Sequence, residues 1–291
     1  MPDLDPVAWA IPAFVVLLLA EAVWLRRKGR LDAFETRDTS TSLMLGLGST
    51  AVGTFAGGLV VAMLVALHDL TPLSLGWVWW VWPLCFVLDD LAYYWFHRSA
   101  HRIRWLWASH VNHHSSQHYN LSTALRQSWT GFVAASFIFR WPLALLGFEP
   151  GMIIFCGALN LIYQFWIHTE VIDRLPRWFE AVMNTPSHHR VHHAVNPRYL
   201  DRNFAGTFII WDRLFGTFES EDHREAIRYG IVHQLGTFNI LRVAFHEWAA
   251  MLVDVWQAPW KHKAGYLWRE PGWSHDGSRE TSDMIRRRHR R

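Results

Sequence analysis

Apolar residues run in long blocks through the first 167 positions and thin out afterwards. Residues 7–25 form about nineteen mostly apolar positions, enough for a membrane-spanning helix, interrupted only by Pro12 and Glu21. The basic stretch RRKGR at 26–30 follows at once. By the positive-inside rule this loop is cytoplasmic and the N-terminus lies outside. Residues 42–67 give a second span rich in Gly and Ala, where Gly53 and Gly57 have a GxxxG spacing suited to helix contact. Residues 75–96 predict a third helix, apolar in its first half and carrying Asp89 and Asp90 in its second, which emerges into the cytoplasm near His97. Acids within a span face a cavity, a partner or an active site. Residues 129–146 and 150–167 are two further apolar runs, split by turn residues at 147–151. They read as a hairpin, fully spanning or re-entrant, with both ends on the cytoplasmic side. Beyond 169 the chain is mixed and polar, except for helical apolar spacing near 239–257 (Ile240, Val243, Ala244, Trp248, Met251).

The expected fold is all-α: an integral membrane bundle of about four to five embedded helices with a cytoplasmic helical cap. Three parts are expected, an N-terminal helix and basic loop at 1–40, a catalytic domain at 41–220, and a C-terminal helical segment with a basic tail at 221–291.

Composition sharpens this picture. Hydrophobic residues make up 51% of the chain, charged residues only 18%, and there are nineteen tryptophans. Trp and Tyr gather at membrane interfaces. The mean hydropathy is near zero at +0.03, so a substantial part is polar. The net charge of +3 comes with no broad basic patch for nucleic acid. The basic tail Arg286–Arg291 is expected to lie on anionic headgroups or to be disordered. Cys85 and Cys156 sit in apolar runs and read as small apolar residues rather than a disulfide framework. The first apolar run lacks a preceding basic flank and a small-residue cleavage site, so it reads as a span and not a cleaved signal.

The candidate chemistry lies in the histidines. Residues 97–114, HRSAHRIRWLWASHVNHH, hold His97, His101, His110, His113 and His114; SHHRVHH holds His188, His189, His192 and His193; His168 stands between them. On a helix, residues at i, i+3 and i+4 share a face. His97 and His101 have the i, i+4 spacing, whereas His110/His113/His114 and His189/His192/His193 repeat i, i+3, i+4. Each set can aim imidazoles at one point, and neutral imidazole suits Zn, Cu, Fe and Ni. Nine such groups are too many for one zinc and suit two six-coordinate metals. His188 points about 100° away from His189 and is expected to support the ligands rather than join them. Metal-bound histidines usually donate their second N–H to a carboxylate or carbonyl. Asp90, seven residues before His97, and Gln164, four before His168, are the candidate supporting groups. Asn112, Glu170, Asp201, Asn203 and Asp212 are weaker ones.

These boxes resemble the fatty acid hydroxylase/sterol desaturase superfamily of membrane di-iron oxygenases. The resemblance rests on HRSAH at 97–101, HVNHH at 110–114 and HHRVHH at 188–193, in that order, with apolar segments between. DDLAYYWFHR, STALRQS, NLIYQFWIHTE and NPRYLDRNFAGTFIIWDRLFGTF support it over residues 40–220. The wording around IHTE and WDRLFGTF is most similar to the bacterial sterol desaturase-like and alkylglycerol monooxygenase branches. Two departures stand out. Gln164 occupies a position where members can carry a histidine, and Arg102 occupies one where the alkylglycerol branch leads one to expect glutamate, which argues against an ether lipid. The resemblance implies that His97, His101, His110, His113, His114, His168, His189, His192 and His193 bind two iron ions. It also implies that O2 is a co-substrate, and that a lipid (sterol, fatty acyl or ether lipid) is hydroxylated or desaturated. No Rossmann fingerprint or haem-attachment motif is present, so electrons must come from an external reductase, cytochrome or ferredoxin. The expected location is the bacterial inner membrane, with the metal site on its cytoplasmic face. The other classes considered are a non-catalytic membrane metal-binding or transport protein, which would want polar residues along the spans, and a zinc-dependent lipid hydrolase.

Overall fold

The computed structural model describes residues 6–30 and 33–290. Among these the chain is helical, with two isolated β-bridges and no strand. Helix α1 covers Pro6–Arg27 and α2 Thr36–Asp69; α3 is Val81–Arg102 and α4 Arg104–His114. After a 3-10 turn at Leu121–Leu125 and another at Ser136–Arg140 come α5 (Trp141–Leu145) and α6 (Pro150–Trp166). The cap carries α7 (Arg177–Glu180), α8 (Pro186–His192), α9 (Ile210–Leu214), α10 (Ile240–Gln257), α11 (Gly265–Trp268) and α12 (Ser282–His289).

Among the described residues, α1 and α2 are long and apolar enough to cross a membrane, and in each only 6% of the most apolar window is buried. Side chains such as Val16, Leu19, Leu47, Phe55 and Leu59 stand bare. An apolar surface of this extent suggests association with a membrane. Helix α3 starts later than the sequence suggests, because the turn at 71–80 holds the Trp-rich stretch. It also runs further, carrying His97 and His101 within it.

The arm at 129–146 departs from expectation. It is a series of turns, a 3-10 segment and the short α5, not a continuous helix. Hydroxyl groups compete here for hydrogen bonds that a helix would need: Ser128 Oγ receives the Thr130 N–H, and Ser136 Oγ donates to Gly131 O. Ala135 is left-handed at φ 59°, and Pro142 cannot continue a preceding helix.

The far end of the bundle is sealed by Leu64, Val81, Cys85, Leu143, Phe148, Met152 and Cys156. There the Leu75 N–H donates to Gly147 O at 2.9 Å. The α2–α3 turn and the α5–α6 turn therefore lie side by side, and α3 and α6 run from this end toward the cap. The GxxxG pair does not make the close contact expected of it: a Cβ at Gly53 or Gly57 meets nothing, whereas one at Gly48 would come within 2.4 Å of Trp129.

In the cap, α10 lies on α4. The buried Arg104 binds Glu247 at 2.6 Å and Asp254 at 2.7 Å. The basic tail is ordered as far as His289 rather than disordered. It forms α12, started by the Thr281 side chain and tied to the end of α3 by Asp283, which receives Arg102 at 2.9 Å.

Candidate metal centre

Four pieces of backbone deliver the histidines. Helix α3 supplies His97 and His101, and α4 supplies His110, His113 and His114 after the extended Ile103 redirects the chain. His168 sits just past α6, and α8 with its C-cap supplies His189, His192 and His193. Pro186 in the first turn of α8 suits a helix start. The structure brings all nine together in two groups: His97, His101, His110, His114 and His192 in one, His113, His168, His189 and His193 in the other. Within each group the ligand-capable nitrogens lie within 4.8 Å of one another. The split interleaves the sequence boxes, since HVNHH and HHRVHH each give residues to both groups.

The rings are oriented from behind. Nδ1 of His97 donates to Phe204 O at 2.7 Å, His113 to Arg126 O at 3.3 Å, His168 to Gln164 O at 2.7 Å and His192 to Arg202 O at 2.9 Å. Asp201 Oδ1 lies 3.4 Å from His101 Nδ1. A carbonyl can only accept, so these rings carry the proton on Nδ1 and a lone pair on Nε2. The Nε2 atoms face each other: His97 and His110 at 3.0 Å, His110 and His114 at 3.1 Å, His113 and His168 at 3.3 Å, His168 and His189 at 2.9 Å, and His189 and His193 at 3.2 Å. His113 and His168 both hold their protons at Nδ1, so between their opposed lone pairs there is no hydrogen to share. Nε2 of His101 and His192 are buried with no partner. A cation is what such a donor set fits. Burial, then mainly the neighbouring imidazoles, pushes the pKa of His110, His114, His189 and His193 well below the ordinary value; burial drives down His113 and His192 likewise and takes His168 to about 4. The rings are neutral and available as ligands at neutral pH.

The supporting residues differ from expectation. Asp90 does not touch His97. Its carboxylate receives Thr207 N–H at 2.7 Å, Phe208 N–H, Trp211 Nε1 and Asn160 Nδ2, which fastens the 204–208 segment whose Phe204 carbonyl holds His97. Gln164 orients His168 through its backbone carbonyl, while its amide donates to Asn160 Oδ1. His188 lies in neither group; its Nδ1 is 3.3 Å from Thr185 Oγ1 and its ring packs on Phe218. Among the weaker candidates, Asp201 faces His101 and Asp212 receives the Phe204 and Ala205 N–H groups.

Sequence reasoning missed Arg126, Phe204 and Arg202, whose carbonyls orient three ligands. Only Arg126 left a trace, as an isolated charge in STALRQS.

Residues 82–217 match the fatty acid hydroxylase family model, a stretch that takes in all nine histidines. The chain belongs to this family. Within it, the chain is 42% identical to alkylglycerol monooxygenase of Danio rerio over 91% of its length and 59% of that protein's. It is 41% identical to alkylglycerol monooxygenase of Homo sapiens, over 92% and 60%, and 27% identical to ornithine lipid hydroxylase of Rhizobium tropici, over 76% and 67%. The chain thus spans about three fifths of the alkylglycerol monooxygenases it matches. No solved structure matches it. The likeness to the alkylglycerol enzymes holds despite Arg102, which is engaged with Asp201, Glu270 and Asp283.

Proposed function

We propose that this protein is a di-iron monooxygenase that hydroxylates a C–H bond of a membrane lipid, with an alkyl-bearing glycerol lipid the favoured substrate class. The observation behind it is the pair of imidazole groups with opposed, bare Nε2 atoms inside the matched family region. His97, His101, His110, His114 and His192 would hold one iron, and His113, His168, His189 and His193 the other. Two irons bound there would supply O2 activation, which side chains alone cannot. One oxygen atom enters the lipid C–H bond and the other leaves as water, using two electrons and two protons from an external donor.

The chain contributes orientation and exclusion of water. The carbonyls of Arg126, Gln164, Arg202 and Phe204 fix five-membered rings that would otherwise turn. The fixed tautomer keeps Nε2 as the binding atom. Helices α3 and α6 and the 129–146 arm sit in the membrane beside α1 and α2, with the site at their cytoplasmic end. Substrate named by the alkylglycerol relatives would approach along these apolar walls.

The test is purification in lipid nanodiscs, metal analysis, and turnover of an alkylglycerol under labelled O2. Iron near two per chain and label in the lipid product support the reading. A single tightly held zinc, with turnover in the absence of O2, overturns it.

A further inference from the structure

Away from the histidines, the cap contains a concentration of unbalanced positive charge. A cavity of ≈ 230 Å³ is lined by Arg202, Asp283, Arg286, Arg287 and Arg290. An adjoining cavity of ≈ 350 Å³ shares Arg286 and Arg290 and adds Arg198, Glu219 and His289. The first wall holds four guanidinium groups against one carboxylate, and that carboxylate is already engaged by Arg102 and Arg286. Arg202 has no carboxylate partner: its Nη1 donates to Gly216 O at 3.2 Å, and its Nε is buried with no partner at all. Arg287 donates only to the Asp283 carbonyl.

We propose that this pocket binds a phosphate-bearing anion, in the size range of a pyrophosphate or a phosphomonoester. Guanidinium groups pair with phosphate through parallel N–H···O bonds, and the pocket wall carries four of them. A concave pocket closed by α12 fits a small anion better than the flat rim of a protein partner. Asp283 pairs with Arg102 at the last residue of α3, so the pocket lies about 30 Å along that helix from Val81. That distance is about the thickness of a bilayer's hydrocarbon core, so a soluble anion and the phosphate of a lipid headgroup are both within reach of the pocket. Because Arg202 O holds His192, the bound anion would sit on the residue that orients a cluster histidine.

The experiment is calorimetric titration of the full chain in nanodiscs with inorganic pyrophosphate, with acetate as the control anion. Saturable binding of pyrophosphate and none of acetate is expected. The double variant Arg287→Ala/Arg290→Ala alters two exposed side chains and should weaken binding at least tenfold without shifting the unfolding temperature of the ligand-free protein. Repeating the titration in nanodiscs containing phosphatidate separates the sources. Loss of the pyrophosphate signal there assigns the pocket to a lipid phosphate, and an unchanged signal assigns it to a soluble one. The proposal is overturned by absence of saturable binding, by equal binding of acetate, or by equal binding to the double variant.

Discussion

Arg126 is the largest of the almost completely buried side chains among the described residues. Its guanidinium pairs with Asp38 Oδ1 at 3.1 Å and donates to Ser42 Oγ, Asn112 O and Ser115 Oγ, while Ser116 Oγ donates to the other Asp38 oxygen. The pair links the start of α2 to the end of α4, and the Arg126 carbonyl orients His113. A fully bonded buried pair contributes modest net stability, but breaking it leaves an uncompensated charge and costs about 3–5 kcal/mol. Arg126→Leu should therefore lower the unfolding temperature sharply in detergent, and Arg126→Leu/Asp38→Asn should recover part of the loss. A single variant as stable as the parent would refute the role. His113→Ala tests the centre itself. It removes one side of the opposed pair with His168, so bound iron should fall and lipid oxidation should cease while the protein stays in the membrane. Unchanged iron and activity would remove His113 from the ligand set.

At the scale of elements, α3 and α6 act as matched rulers. His97 lies sixteen residues past Val81, about 24 Å, and α6 with its seventeen residues is about 25 Å long. Starting side by side, they bring His97 and His168 to one level. Their spacing is set by Asn160 and Asp90 around Gly206, where a Cβ would come within 2.6 Å of Asn160 Oδ1 and 2.8 Å of Asp90 Oδ1. Gly206→Ala has no flexible chain end to push aside. It should cost about 1–3 kcal/mol and lower activity more than a surface Gly→Ala change, as measured by thermal unfolding and turnover in the same nanodiscs. If Gly206→Ala is silent, the Asp90 network does not hold the site.

The histidines were legible in the sequence because HxxxH and HxxHH spacing is a helix-face signal, and α3, α4 and α8 are helices. Their orienting groups were not, because backbone carbonyls have no residue signature. Two of them come from 201–207, where Asp201 and Asn203 are left-handed at φ 54° and no periodic pattern exists. Apolar content marked 129–146 as an apolar arm but did not give its shape, since hydrophobicity does not fix backbone geometry and the Ser, Thr, Gly and Pro within it decide the backbone.

For the whole molecule, the ends of α1, α3 and α6 and the start of α2 all point to the cap. The pair Arg30–Glu170 at 2.8 Å ties the basic loop to the residues after His168. Arg26, Arg27, Lys28 and Arg30 thus lie on the same side as the histidines, and from the positive-inside rule we propose that this side faces the cytoplasm. The α2–α3 turn lies at the opposite end, the length of α3 away. Cys85 and Cys156 are buried, so single added cysteines report cleanly. Ser74→Cys, exposed in the far turn, should react with a membrane-impermeant maleimide in intact cells. Ser278→Cys, exposed in the cap, should react only after the membrane is opened. The reverse pattern would put the histidines outside. Labelling of both in intact cells would mean that α1 and α2 lie on the bilayer rather than cross it, and that their bare apolar faces contact it from one side.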